Sequence, residues 1–193
     1  MKKCSFLPSV ELLPGNNYSA IISHVRTDKV HVQMMCGEGR KATLALPHLM
    51  EEMASVYGVV MCEEMWVLGN PRVGVMCAVQ DSKDGMWYRA QVDTLVKPRI
   101  IKVKYVNFGN TVLVADNRLR RLFPEFLEVP VVAQPVRLHL PNEIGRSAVM
   151  NLKNWLCYQE LELEMVGGEG ELRVEGLSVN QWLVEGDLSA IGG

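Results

Sequence analysis

The sequence predicts a mainly β protein with a few helices, in which a small β-barrel lies between further β-segments. Four or five short alternating segments follow one another between residues 73 and 114. Tight-turn pairs such as Asp84-Gly85 and Gly109-Asn110 separate them, a spacing that is typical of small barrels. The chain has 193 residues, of which 48% are apolar, and this suits one large domain or two small interleaved ones.

The N-terminal part is predicted to form strands and then a helix. Residues 18–25 and 29–35 are rich in β-forming side chains, with Thr27-Asp28 as the turn between them. Residues 42–46 are predicted as a third short strand. A helix is predicted to begin at Pro47 and to end before Gly58. Its apolar residues recur at helical spacing: Leu49, Met50, Met53, Ala54 and Tyr57.

The central part is predicted to be the barrel. The triplet Gly69-Asn70-Pro71 breaks the chain before it, and Lys97-Pro98 is a further turn. The predicted strands cover residues 73–79, 87–95, 100–106 and 111–114.

The C-terminal part is predicted to combine short helices and strands. Residues 118–122 and 124–127 are predicted as helical turns, and residues 143–156 as a helix. Pro135 interrupts a predicted strand over residues 131–140 and indicates an edge or a bulge. Further strands are predicted at residues 160–166 and 171–174, around Gly167-Gly168, and a short helix or strand at 179–185. The two outer parts could complete one another around a second core, with the barrel inserted between them.

Charge and cysteine usage argue against several function classes. The formal net charge is only -2, so no global field attracts nucleic acid or an anionic membrane. The apolar runs are too short for a membrane span, and the stretch before Pro8 is too short for a secretory signal. The cysteines have no C-x-x-C spacing, which favours buried reduced thiols of an intracellular protein over disulfides or structural zinc. They are Cys4, Cys36, Cys62, Cys77 and Cys157. No catalytic motif, metal site or cofactor site is predicted.

Two segments carry a specific resemblance. Residues 84–92 read D-G-M-W-Y-R-A-Q-V, and residues 103–110 read V-K-Y-V-N-F-G-N. They resemble the two signatures of Tudor domains, D-G-x-W-Y-R-A-x-V and V-x-[FY]-x-D-[YF]-G-N. Residues 119–124 and 126–130 resemble the segments that follow the barrel in this family. Residues 177–184 resemble the closing segment of the extended form, in which a staphylococcal-nuclease-like, OB-type barrel is split around the Tudor core.

The resemblance implies a domain layout. Residues 1–46 would form the first part of the nuclease-like domain, and residues 47–66 a linker helix and connection. The Tudor barrel would cover residues 67–122, and residues 123–193 would complete the nuclease-like domain.

The resemblance also implies a non-catalytic function. Tudor barrels of this family hold methylated arginine in an aromatic cage, often on the tails of Piwi-class Argonaute proteins. The implied cage aromatics are Tyr88, Tyr105 and Phe108, and Asn110 is the implied hydrogen-bonding partner of the guanidinium. A place in cytoplasmic, perinuclear germline granules of the Piwi-interacting RNA pathway is implied as well.

These residue types suit a guanidinium. It is planar, cationic and weakly hydrated, so it stacks on aromatic faces, and an amide oxygen accepts from its N–H groups. Strand alternation places Tyr88 and Tyr105 at the ends of inward-facing stripes, at the barrel mouth. Simple caps of the core would show the same pattern. Trp87 and Arg89 are predicted to lie on the opposite, structural face.

The sequence departs from the family pattern at two positions. Asp81 occupies a cage place that is usually aromatic, and Asn107 stands where the family usually has aspartate. A carboxylate pairs best with a guanidinium that keeps its full set of donors. We therefore expect a site with Asp81 to tolerate or prefer unmethylated arginine more than a full aromatic cage would, unless Asp81 lies in a loop that faces water.

Other functions stay open at this point. Basic residues could bind RNA or form a solvated face: Lys97, Arg99, Lys102, Lys104, Arg118, Arg120 and Arg121. A methionine-rich region could mediate self-association in a scaffold, or belong to the core: Met50, Met53, Met61 and Met65. A nuclease activity has only fold analogy in its favour.

Overall fold

A computed structural model describes residues 12–26, 29–60, 66–128, 130–137, 150–151, 153–154, 156–166, 169–174 and 177–179. The described strands are β1 (Asn17–Val25), β2 (Lys29–Met34), β3 (Met76–Gln80), β4 (Trp87–Lys97), β5 (Ile100–Tyr105), β6 (Thr111–Ala115), β7 (Leu119–Arg121), β8 (Ala133–Arg137), β9 (Glu160–Val166), β10 (Glu169–Val174) and β11 (Leu177–Ser178). The helices are α1 (Gly37–Leu44), α2 (Leu46–Val60), α3 (Pro124–Glu128) and a 3₁₀ turn at Asp116–Arg118.

The chain divides into two compact units, each with its own antiparallel sheet. The described residues of one unit lie in Leu44–Val132. Those of the other lie in Pro8–Thr43 and Ala133–Gly193. The first unit carries a five-stranded sheet in the order β6-β5-β4-β3-β7, and the second a six-stranded sheet in the order β11-β10-β9-β1-β2-β8.

The five-stranded sheet curves around an apolar interior. The register of β4 shifts twice against β5, between Val92 and Thr94 and again between Leu95 and Lys97. Such irregularities bend a strand and increase its twist, which allows a short sheet to close around a core. The interior is filled by buried side chains that alternate along the strands: Cys77, Val79, Ala90, Val92, Ile101, Val103, Val114 and Leu119.

Helix α2 covers the outer face of this sheet. Tyr57 of α2 stacks on Trp87 with ring centroids 4.8 Å apart. Its hydroxyl donates to the Arg121 carbonyl at 2.9 Å and accepts from the Phe123 amide at 3.0 Å. Arg89 lies on the same face as Trp87 and is 1% exposed. The prediction that Trp87 is a structural residue is therefore confirmed.

The six-stranded sheet is built from two distant parts of the chain. Strands β1 and β2 pair with β9 and β8, and all four contribute to one buried cluster. A Cβ added at Gly170 of β10 would lie 2.5 Å from Val136 Cγ1 of β8, so the two ends of the sheet approach closely. The prediction that the outer parts complete one another around a second core is confirmed.

Some local predictions are wrong. Residues 42–46 are not a strand, because α1 runs through Leu44 and α2 begins at Leu46. Gly58 lies inside α2, which continues to Val60. Residues 119–121 of the predicted helical turn at 118–122 form β7, which pairs with β3.

Other local predictions are confirmed, and some fall outside the described residues. The helical turn at 124–127 is α3, and Pro135 lies in β8 at the end of the six-stranded order. The turn pairs Thr27-Asp28 and Gly167-Gly168 lie outside the described residues, as do most of 143–156 and 179–185. Within the described part of the chain, no helix combines the length and the apolarity needed to cross a membrane.

Candidate functional site

Two tyrosines stack on each other at one end of the five-stranded sheet. Tyr105 closes β5 and lies opposite Ala90 of β4, while Tyr88 lies two residues before Ala90 on the same face. Diagonal neighbours on adjacent strands are within reach of aromatic side chains. The two rings are accordingly nearly parallel, with centroids 4.4 Å apart and planes inclined by 7°.

A tight turn after β5 adds a third ring. The amides of Phe108 and Gly109 both donate to the Tyr105 carbonyl, at 3.2 and 2.7 Å. Gly109 has φ 85°, a conformation that glycine adopts without steric strain. The turn brings the Phe108 ring edge-on to Tyr88, with centroids 5.5 Å apart and an interplanar angle of 78°.

The three rings differ in exposure. Tyr105 is 2% exposed and belongs to the buried core of the barrel. Tyr88 and Phe108 are partly buried and pack against that core. The structure thus brings together all three aromatics named from the sequence, and Tyr88 and Phe108 present ring surface while Tyr105 lies beneath Tyr88.

The tyrosine hydroxyls are held by two carboxylates of the turn between β3 and β4. Tyr105 donates to Asp81 Oδ2 at 2.8 Å, and Tyr88 donates to Asp84 Oδ2 at 2.6 Å. Asp81 therefore lies at the aromatic cluster and is only partly exposed. Sequence reasoning missed Asp84 as a site residue, because Asp84-Gly85 is also an ordinary turn signal. The signal that could have found it is the hairpin itself, which folds Asp84 back beside Tyr88.

The remaining oxygen of each carboxylate fixes the turn. Asp81 Oδ1 accepts from the Lys83 amide at 2.7 Å, and Asp84 Oδ1 accepts from the Met86 amide at 2.9 Å. Both contacts span two residues, a local pattern that stabilises turns. Each aspartate therefore ties a turn amide to a tyrosine hydroxyl.

The environment of Tyr105 keeps its hydroxyl protonated. Burial raises the pKa of Tyr105 well above the ordinary value of 10.0, and the hydrogen bond to Asp81 and the negative charge of Asp81 raise it further. A protonated phenol donates to a carboxylate, whereas a phenolate would be repelled by it.

Asn110 contributes a buried side-chain acceptor. Its backbone carbonyl accepts from the Tyr105 amide at 2.9 Å, which places Asn110 at the backbone end of Tyr105. Its side-chain Oδ1 is buried and has no hydrogen-bond partner among the described residues. A buried acceptor left unpaired costs about 1–3 kcal/mol, so an N–H donor from a ligand would be stabilised there.

Asn107 has a structural role. It is 3% exposed, and its Oδ1 accepts from Arg89 Nη2 at 2.7 Å. Arg89 also donates to the carbonyls of Phe126 and Pro130, at 2.9 and 2.8 Å. The amide therefore keeps the contact between the β5–β6 turn and the buried guanidinium at the position where the family usually has aspartate.

The basic residues named from the sequence do not form one free patch. Lys102 lies 3.3 Å from Asp93, and Arg99 lies 3.6 Å from Asp116. Arg120 is 8% exposed and donates to the Asn117 carbonyl. These contacts divide the predicted basic cluster.

The described cysteines and methionines have mixed environments. Cys77 is buried, and burial raises its thiol pKa to about 12, whereas Cys36 is exposed, so the prediction of buried thiols is wrong for Cys36. Met53 is 1% exposed and belongs to the core, while Met61 and Met65 lie outside the described residues. Within the described ranges, no three His, Cys, Asp or Glu side chains are grouped so that they could hold a metal ion.

The Tudor domain family model matches residues 12–140, and the chain belongs to that family. Among curated relatives, Tudor domain-containing protein 1 of Danio rerio is 25% identical over 157 residues. That alignment covers 79% of this chain and 13% of the relative, so the chain spans only a small part of the relative's length.

Two solved extended Tudor domains have the same fold. The TD3 domain from mouse TDRD1, in complex with a MILI peptide containing dimethylarginine, gives a TM-score of 0.73 at 18% identity, covering 92% of this chain and 94% of that chain. An aspartate-to-alanine variant of the Drosophila melanogaster Papi domain, in complex with a Piwi N-terminal R10me2s peptide, gives a TM-score of 0.75 at 17% identity, covering 89% of this chain and 97% of that chain. The complex of the same Papi variant with a Piwi N-terminal R10-unme peptide gives a TM-score of 0.69 at 19% identity. It again covers 89% of this chain and 97% of that chain. The fold is thus that of an extended Tudor domain, with a small Tudor barrel joined by a helix to a split nuclease-like, OB-type barrel.

Proposed function

We propose that this chain is a non-catalytic module that binds an arginine side chain of a partner peptide at the cluster of Tyr88, Phe108, Asn110 and Asp81, with Tyr105 beneath. The observation that carries the proposal is the buried Oδ1 of Asn110, which has no hydrogen-bond partner among the described residues, on a residue whose backbone carbonyl accepts from the Tyr105 amide. A guanidinium on these rings has N–H groups at its edge, so it can donate to that acceptor while its face contacts an aromatic ring. Lysine has a compact ammonium and does not offer this flat face.

The partner we propose is the Arg-rich tail of a Piwi-class Argonaute protein. Support comes from the Papi complexes, which hold Piwi N-terminal peptides, and from the TDRD1 complex, which holds a MILI peptide. Such a partner would place the parent protein in cytoplasmic, perinuclear germline granules, as a scaffold of the Piwi-interacting RNA pathway. We expect a Kd of about 1 to several tens of micromolar, because one arginine side chain makes few contacts and binding orders the peptide.

The test is a titration of the whole chain with a labelled synthetic peptide in which one arginine is flanked by glycine and alanine. Asn110→Ala removes the acceptor and should weaken binding at least about tenfold, since a hydrogen bond to a charged group contributes about 1.5–3 kcal/mol. Asn110→Asp keeps an acceptor and should bind at least as tightly as wild type.

The matched control is Asn117→Ala. Asn117 is exposed on the same barrel, and it accepts from Arg120 through its backbone carbonyl, which the substitution retains. Equal affinity of Asn110→Ala and Asn117→Ala for the arginine peptide would show that Asn110 does not bind the guanidinium. Equal affinity of wild type for arginine and lysine peptides would exclude an arginine site.

A further inference from the structure

We propose that this site prefers an arginine that retains all its N–H donors, so that an unmethylated arginine binds more tightly than a symmetrically dimethylated one. This inference rests on the proposed arginine-binding function and specifies its ligand. It follows from the balance between hydrogen-bond acceptors and open ring faces around the tyrosine pair.

The tyrosine pair is closed. A guanidinium inserted between two parallel rings needs them about 7 Å apart, because each face-to-face contact is about 3.5 Å. The centroids of Tyr88 and Tyr105 are 4.4 Å apart, and both hydroxyls are tied to carboxylates. Opening the pair would require a separation of roughly 2–3 Å more and the loss of a carboxylate contact. The ligand therefore packs against the outer surface of Tyr88 and the edge-on Phe108.

Acceptors outnumber these ring surfaces. Asp81 lies at the hydroxyl end of Tyr105, and Asn110 lies at its backbone end. Each carboxylate oxygen of Asp81 accepts one hydrogen bond, and a carboxylate has about four acceptor positions, so about two remain for a ligand. Asp84 adds a second negative charge at the hydroxyl of Tyr88. Among the described residues, the site thus has two partly exposed rings and three polar acceptor groups.

Methylation changes this balance in a defined direction. Symmetric dimethylation keeps the positive charge but replaces one N–H on each terminal nitrogen, which blocks bidentate hydrogen bonding. The added methyl groups are stabilised only where ring surface covers them. Two ring surfaces can cover little of the added methyl groups. Each N–H that methylation removes, however, takes away a donor for the acceptors of Asp81 or Asn110. The charge-assisted contacts therefore decide the preference.

The experiment is a titration of the whole chain with one synthetic peptide in two forms, with its single arginine either unmethylated or symmetrically dimethylated. Wild type should bind the unmethylated form at least about threefold more tightly. Asp81→Asn removes the charge and should weaken the unmethylated form about tenfold and the dimethylated form less than about threefold. Asp81→Phe should reverse the order of the two forms.

Asp93→Asn is the matched control, because Asp93 is exposed and pairs with Lys102 instead of the aromatic site. It should leave both affinities unchanged. A preference of wild type for the dimethylated form, or an equal loss of both forms in Asp81→Asn, would overturn the inference and leave the arginine-binding function intact. If wild type bound neither form, the proposed function would fail together with the inference. A thermal melt of each variant verifies that it folds. If Asp81→Phe does not fold, the loss of affinity in Asp81→Asn tests the inference by itself.

Discussion

The hydroxyl of Tyr105 donates a hydrogen bond to Asp81 Oδ2 at 2.8 Å, which joins the end of β5 to the turn between β3 and β4. The same carboxylate accepts the Lys83 amide through its other oxygen. The ring and the turn are therefore positioned by one side chain, so a change in either is transmitted to the other. Tyr88 and Asp84 repeat this arrangement one strand away.

Alkaline pH should destabilise the barrel through Tyr105. Its pKa in the folded chain is raised above 10.0 by burial, so the folded state holds this proton more tightly than the unfolded state. The resulting stabilisation is complete below about pH 10 and is lost as the pH rises through the folded pKa. We expect the free energy of unfolding, measured by urea titration, to fall as the pH rises above about 10.

Tyr105→Phe isolates this contribution. The variant keeps the stacked ring but loses the bond to Asp81, so it should be about 1 kcal/mol less stable at neutral pH. Its stability should fall less steeply at alkaline pH than that of wild type. A decline remains, because burial also raises the pKa of Tyr57. Equal slopes for the variant and wild type would show that Tyr105 does not carry the effect.

Asn107 should contribute to stability through its buried contact with Arg89. Asn107→Leu removes the acceptor 2.7 Å from Arg89 Nη2 and should lower the free energy of unfolding by about 1–3 kcal/mol. Asn107→Asp keeps the acceptor and adds a charge, and charge-assisted bonds are stronger, so this variant should exceed Asn107→Leu in stability. Chemical denaturation of the three proteins measures both differences, and equal stability of the two variants would contradict the assignment.

Two glycine-to-alanine substitutions should have opposite effects. A Cβ at Gly170 would lie 2.5 Å from Val136 Cγ1 and 2.8 Å from Leu163 Cδ1, so Gly170→Ala overpacks the six-stranded sheet and should cost about 1–3 kcal/mol. Gly58 lies inside α2, and a Cβ added there would meet no atom within 4 Å, so Gly58→Ala should stabilise by about 0.5–1 kcal/mol. Thermal unfolding distinguishes the two, and a stabilised Gly170→Ala would show that β8 and β10 do not approach as described.

The strands of the central barrel were predictable because their signals are local. Alternation and turn pairs such as Asp84-Gly85 act over a few residues, and the structure places β4 and β5 where they indicate. The strand prediction for residues 42–46 was wrong because contacts outside the segment decide its structure. Gly39 lies against Met34, where a Cβ would come within 2.8 Å, and Thr43 donates to the Met34 carbonyl, so the segment that precedes α2 packs on β2 as a helix. Such tertiary contacts override weak local preference.

β7 shows the same limit. Residues 119–121 have no alternation long enough to indicate a strand, and their pairing with β3 joins residues about forty positions apart. β3 pairs with β4 on one side and with β7 on the other. The pairing with β7 therefore depends on how the sheet closes and not on the local sequence.

The sequence by itself determined the family and the two-core organisation, and it named the aromatic and amide residues that we propose as the binding site. These properties follow from motif chemistry and from side-chain periodicity, which act within one strand or turn. Only the tertiary structure decided that Tyr88 and Tyr105 are stacked in contact, that Asp81 and Asp84 hold their hydroxyls, and that Asn110 keeps a buried acceptor without a partner among the described residues. The reason is physical: these relationships depend on distances between residues on different strands, and the closure of the barrel sets those distances.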